Sequence, residues 1–133
     1  MQTAITPFLM FDGHAEESMN FYVGLLPDGN VVNISRYGKE GPGKEGSVRH
    51  AIFEIAGQRI MCIDSPTKHG FSFTPSFSLF VDCGSESQIE DLYTALSNDG
   101  STMMPLGEYG FSKRFAWIQD RFGVSWQLNL PNE

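Results

Sequence analysis

Ile5-Thr6-Pro7-Phe8-Leu9-Met10-Phe11-Asp12-Gly13-His14-Ala15-Glu16-Glu17-Ser18-Met19-Asn20-Phe21-Tyr22 begins as an apolar run of strand length, ends that run on Asp, and passes into a helix-period pattern closing on aromatics. The same order returns in altered form at Ser76-Phe77-Ser78-Leu79-Phe80-Val81-Asp82, followed by Ser85-Glu86-Ser87-Gln88-Ile89-Glu90-Asp91-Leu92-Tyr93. A repeat of this length marks a duplicated supersecondary unit.

Working outward, residues 4–11 read as a strand with Ile5, Pro7, Leu9 and Phe11 on one face and Thr6, Phe8 and Met10 on the other. Pro7 cannot donate to a ladder, so the strand belongs at an edge or begins there. Asp12 is placed to cap a helix over 14–26, whose stripe is Ala15, Met19, Tyr22 or Phe21, and Leu25 or Leu26. Strands follow over 30–37, 47–56 and 59–64, the last two joined by a turn at Ala56-Gly57. The stretch 38–46 is rich in glycine but lacks phosphate-loop spacing and has no apolar helix after it, so it reads as an exposed, mobile loop. Residues 65–75 form a linker. The second half repeats the order, with a strand over 76–83, a helix over 86–98 behind a Ser85-x-x-Gln88 capping box, and strands over 101–106, 111–120 and 124–130. On the final strand Val124, Trp126, Leu128 and Leu130 alternate with Ser125, Gln127 and Asn129.

The fold class is therefore α+β, two βαβββ modules at about 4–64 and 76–130 within one domain spanning 1–133. One helix covers only one face of a four-stranded half-sheet. Two such halves side by side are expected to curve into a cup-like mixed sheet, helices outside, with a ligand pocket in the hollow.

Composition bounds the function. A net charge of −7, with no basic cluster, repels phosphate backbones and argues against nucleic acid as a partner. No apolar run approaches the roughly 20 residues of a membrane-spanning helix, and the N-terminus lacks the pattern of a signal peptide. A cytoplasmic protein without a membrane partner is the expectation. Eleven Phe in 133 residues predict a ring-rich core or cavity. Cys62 and Cys83 are not in a C-x-x-C arrangement and read as buried, reduced thiols. His50 and Glu54 share a strand face but stand too far apart to touch, and no Ser-His-Asp or Cys-His arrangement is built by the sequence.

The doubled order, the Asp12 to Phe21-Tyr22 opening and the closing Asp120-Arg121-Phe122-Gly123-Val124-Ser125-Trp126-Gln127-Leu128-Asn129 resemble the vicinal oxygen chelate superfamily, which includes glyoxalase I, extradiol dioxygenases and antibiotic-resistance proteins. Within it, Ile5-Thr6-Pro7-Phe8-Leu9-x-Phe11-Asp12-Gly13 and the Asp120 to Asn129 stretch resemble the demethylubiquinone methyltransferase-like, or glyoxalase-like, family. The likeness runs from about residue 4 to 130.

That resemblance implies a divalent metal in the cup, held by His, Gln or Glu from the first and last strands of each module. The equivalent positions here are Thr6 (or Pro7), Cys62 and Asp64, Ser76, and Gln127. A hydroxyl is a poor ligand for a transition metal, so no metal site and no cofactor are expected. The cup is then lined by Thr6, Phe8, Met10, Cys62, Asp64, Ser76, Ser78, Phe80 and Gln127 and suits a small apolar or aromatic molecule. Phe115 and Trp117 share a face that parity leaves open. The alternative is a metal-dependent lyase, isomerase or dioxygenase-type enzyme using Asp64, Gln127 and a His. A methyltransferase is disfavoured, because Phe11-Asp12-Gly13-His14-Ala15 offers one Gly, no G-x-G and no alternating βαβ order. The resemblance also implies a homodimer.

Overall fold

The computed structural model describes residues 2–132, in two compact units that divide between His69 and Gly70. Each unit is a βαβββ module, as the repeat predicts. The first contains β1 (Phe8–Phe11), α1 (Ala15–Leu25), β2 (Asn30–Arg36), β3 (Val48–Ile55) and β4 (Gln58–Asp64). The second contains β5 (Ser78–Asp82), α2 (Glu86–Ser97), β6 (Ser101–Gly107), β7 (Arg114–Gln119) and β8 (Ser125–Leu130). No helix among the described residues is long and apolar enough to cross a membrane.

In the first module the sheet order is β1-β4-β3-β2, with β1 parallel to β4 and the other pairs antiparallel. Pro7 stands immediately before this edge strand, where its missing N–H costs no ladder bond. Side chains alternate faces. Leu9, Phe11, Ala51, Phe53, Ile55, Ile60 and Cys62 are buried on the side that α1 covers. Helix α1 meets them with Ala15, Ser18, Met19 and Tyr22, and the Tyr22 and Phe53 ring centroids lie 6.3 Å apart. Strand one is shorter than expected: Ile5 lies ahead of it and is 90% exposed.

The expected helix cap also moves. The N-cap of α1 is His14, which makes no side-chain cap bond. The Ala15 N–H is instead accepted by Asp64 Oδ1 at 2.9 Å, from the far end of β4. A carboxylate beside the first-turn N–H groups favours the helix end whichever part of the chain supplies it.

Between β3 and β4, Ala56 and Gly57 both take positive φ, 49° and 82°, the conformation a two-residue type I′ turn requires. The loop after β2 is folded back on Tyr37. A Cβ added at Gly43 would fall 2.5 Å from the Tyr37 ring, so glycine there serves packing, a role its loop-like composition does not reveal.

The second module has sheet order β5-β8-β7-β6, again with one parallel pair, β5 with β8. Ala116, Ile118, Trp126, Leu128 and Leu130 are buried, together with Ile89, Leu92 and Leu96 of α2. Arg114 lies on the helix-covered side and pairs with Glu90 at 2.7 Å and Glu86 at 3.9 Å on α2. The predicted cap forms: Ser85 Oγ accepts the Gln88 N–H at 3.1 Å. The returning Gln88 side chain accepts from Gly84 at 2.6 Å, one residue earlier than in the usual box. At the last hairpin Asp120, 4% exposed, accepts the N–H groups of Phe122 and Val124 at 2.9 and 3.0 Å and the Trp126 indole at 2.9 Å.

Candidate functional site

Each helix covers one face of its sheet and leaves the other open, so the open faces carry the side chains available for chemistry. On the first module this face presents Phe8, Met10, Met61, Ile63, Ile52, His50 and Glu54, as the strand registers require. Its centre is apolar. Glu54 is taken by Arg59, 3.2 Å away and opposite it on β4, and His50 lies 6.4 Å from the Phe8 ring.

The open face of the second module has an apolar part and a polar part. Phe80 of β5 and Phe115 of β7 lie on it with ring centroids 6.3 Å apart. The turn before β7 adds Phe111, edge-on to Phe115 at 4.9 Å, and Tyr109, stacked on Phe111 at 6.2 Å. Phe115 is 5% exposed beneath this cluster, whereas Phe80 and Phe111 remain 56% and 58% exposed. Trp117 occupies the same face, because it pairs directly with Gln127, and this settles the parity that the sequence left open.

Beside the rings lies a closed hydrogen-bond cluster. Ser78 and Ser125 hydroxyls are 2.7 Å apart across the parallel pair. Trp117 Nε1 donates to Ser125 Oγ at 3.0 Å and Gln127 Nε2 donates to Ser78 Oγ at 3.3 Å. Both hydroxyls also reach the Pro75 carbonyl, at 3.4 and 3.3 Å. Further along the face, Asn129 donates to Asp82 at 3.0 Å.

Of the nine lining residues expected from the sequence, Phe8 and Met10 stand on the open face of the first sheet and Ser78, Phe80 and Gln127 on that of the second. Thr6 and Ser76 lie outside the strands, and the exposed Ser76 hydroxyl pairs with Thr74 at 2.8 Å. Cys62 and Asp64 require a correction. They lie on the helix-covered face, 0% and 3% exposed, while Met61 and Ile63 take the open positions. The resemblance gives Cys62 and Asp64 the cup-facing parity, whereas the register turns the Asp64 carboxylate to the helix-covered side. It is tolerated inside because Ala15 and Val48 N–H groups satisfy its two oxygens at 2.9 and 3.0 Å. The residues missed were Ser125, Tyr109 and Phe111. Alternation with Gln127 carried a signal for the first, whereas the two rings sit in a turn where no periodicity applies.

These placements bear on the metal that the resemblance implies. Burial, with the Asp64 charge adding to it, pushes the Cys62 thiol up to about 12, and burial pushes Cys83 up to about 11. Cys62 moreover lies beneath the helix, on the face opposite Met61 and Ile63, and so is not presented to the open face. Asp64 has its oxygens committed to backbone amides, and Gln127 is bonded to Ser78. Among the described residues no group of three or more His, Cys, Asp or Glu side chains is placed to hold a metal ion. The donor set does not fit the superfamily's metal.

Two βαβββ modules, each with a mixed four-stranded sheet and one covering helix, define a protein of the glyoxalase, or vicinal oxygen chelate, fold. A glyoxylase/bleomycin resistance protein/dioxygenase domain from Frankia sp. EAN1pec shares that fold, with a TM-score of 0.66 over 99% of each chain at 14% identity. The chain belongs to the family described as 3-demethylubiquinone-9 3-methyltransferase, whose profile matches residues 3–129. It is 54% identical to a putative 3-demethylubiquinone-9 3-methyltransferase, PhnB protein, from Bacillus cereus, with a TM-score of 0.94 over 96% of this chain and 99% of that one. Protein PA1353 from Pseudomonas aeruginosa is 26% identical, with a TM-score of 0.85 over 99% of this chain and 100% of that one. The methyltransferase description does not suit the fold: neither module has the alternating parallel βαβ order or glycine-rich first turn of a doubly wound nucleotide site.

Proposed function

We propose that this protein binds a small apolar or aromatic molecule on its open sheet faces without a metal ion. One observation carries the reading. On the second module, rings that would ordinarily be packed away stand exposed beside a compact set of hydroxyl, amide and indole groups. An apolar bed with a few fixed polar groups is the usual composition of a small-molecule site, and stacking on such rings supplies affinity beyond area burial. The apolar centre of the first module's open face, Phe8, Met10, Ile52 and Met61, supports it.

The protein is further read as a cytoplasmic homodimer. Two free buried cysteines suit a reducing compartment, and the dimer rests on resemblance to superfamily members, which often pair.

Thermal melting tests this reading against the metal-dependent enzyme. A ligand that binds the folded state raises the melting temperature by mass action. Compact aromatics such as 1-naphthol should raise it, whereas Zn2+, Mn2+, Ni2+ and Fe2+ should not. Stoichiometric metal in the purified protein, removed by chelator with loss of ligand binding, would establish the enzyme reading instead.

A further inference from the structure

Building on this reading, we propose that the ligand of the second module is an uncharged aromatic carrying a hydrogen-bond donor, which it gives to Gln127 Oε1. The assignment follows from counting protons in the cluster. Ser78 and Ser125 have one hydroxyl proton each. Their oxygens are 2.7 Å apart, so one proton lies between them. The Pro75 carbonyl, reached by both, takes the other. Ser125 Oγ also receives the Trp117 indole proton. No hydroxyl proton remains for Gln127, so its amide nitrogen must face Ser78 and donate, as the 3.3 Å contact has it. The amide oxygen is thereby turned away from the cluster as an acceptor.

Gln127 is only half-buried, and its neighbours across the ladder are Phe80 on one side and Trp117 on the other. A ring laid against Phe80 therefore has the Gln127 acceptor at its edge. Both serine protons and the Trp117 indole proton are committed, so besides the one remaining Gln127 N–H the cluster offers no spare donor, while the Gln127 amide oxygen stands open as an acceptor. Charge selects in the same direction. Among the described residues, no Lys, Arg or His stands on an open-face strand position of this sheet, while Asp82 does. An anionic ligand would be desolvated there with no cation to receive it. A phenol, indole or anilide fits; a carboxylate, phosphate or phosphonate does not.

Three matched probes test this on the unmodified protein: 1-naphthol, its methyl ether and 1-naphthoate, titrated by isothermal calorimetry. The naphthol should bind about tenfold more tightly than the ether, as one hydrogen bond to a partly buried acceptor provides, and the naphthoate more weakly than either. Gln127→Met, with its melting temperature checked, should abolish the preference by weakening the naphthol alone. Equal binding of naphthol and ether, or tightest binding by the naphthoate, would overturn the donor assignment and leave the aromatic site standing. Failure of all three to bind would overturn both.

Discussion

The Asp64 carboxylate accepts the backbone N–H of Ala15 at 2.9 Å, joining the last residue of β4 to the first turn of α1 across 49 positions of sequence. Its other oxygen accepts Val48 N–H at 3.0 Å, so a single side chain fixes a helix end, a strand start and a strand end. Asn at this position keeps the shape but offers one acceptor oxygen, and its NH2 group would face one of the two amides. Asp64→Asn should therefore destabilise the protein by about 2–4 kcal/mol. Asp12→Ala, at the residue the sequence suggests as the cap, should cost less than about 0.5 kcal/mol. Urea unfolding of the two variants checks the contrast, and equal losses would refute it.

The glycine loop offers a second test. Tyr37 donates its hydroxyl to the Asp64 carbonyl at 3.1 Å, and Gly43 lies against its ring. Gly43→Ala must displace that ring and should cost about 1–3 kcal/mol, whereas Gly38→Ala, with open space around the added methyl, should be nearly neutral. If the loop were only a solvated connection, both substitutions would behave alike.

Alkaline pH should weaken the fold through its thiols. Cys62 and Cys83 rise from the usual 9.0 to about 12 and about 11, so the folded state favours the neutral thiol. For a pKa raised on folding, the stabilisation is complete below the unfolded value and is lost as pH rises through the folded one. Above pH 9.0 the unmodified protein should lose stability more steeply than Cys62→Ala, measured by urea unfolding over a pH series. In native buffer a thiol reagent should modify both cysteines far more slowly than in urea; rapid native labelling would contradict the burial argument.

Much of the architecture was legible in the sequence because the signals that carry it are local. The helix stripes, the Ser85 cap, the Ala56-Gly57 turn and the alternation that sends Trp126 and Leu128 inward and Gln127 outward all sit within a few residues of one another. The site was less legible because it depends on pairings distant in sequence. Nothing near Asp64 announces that Ala15 and Val48 will satisfy it inside, so the cup-facing parity that the resemblance implies for Cys62 and Asp64 meets no local contradiction in the sequence. Ser76 opens the apolar run that reads as a strand over 76–83, yet β5 begins only at Ser78. Trp117 could be placed only once its partner Gln127 was known.

The central claim is that an aromatic molecule sits on the open face of β5, β7 and β8 with no metal to hold it. The most direct measurement is a nuclear magnetic resonance titration of the 15N-labelled protein with 1-naphthol, following the Trp117 indole and Gln127 side-chain amide signals with and without EDTA. Both signals should shift saturably and identically in the two conditions, while the buried Trp126 indole stays nearly fixed. Shifts that vanish with EDTA and return with Zn2+, or a titration that leaves Trp117 and Gln127 unmoved, would contradict the account.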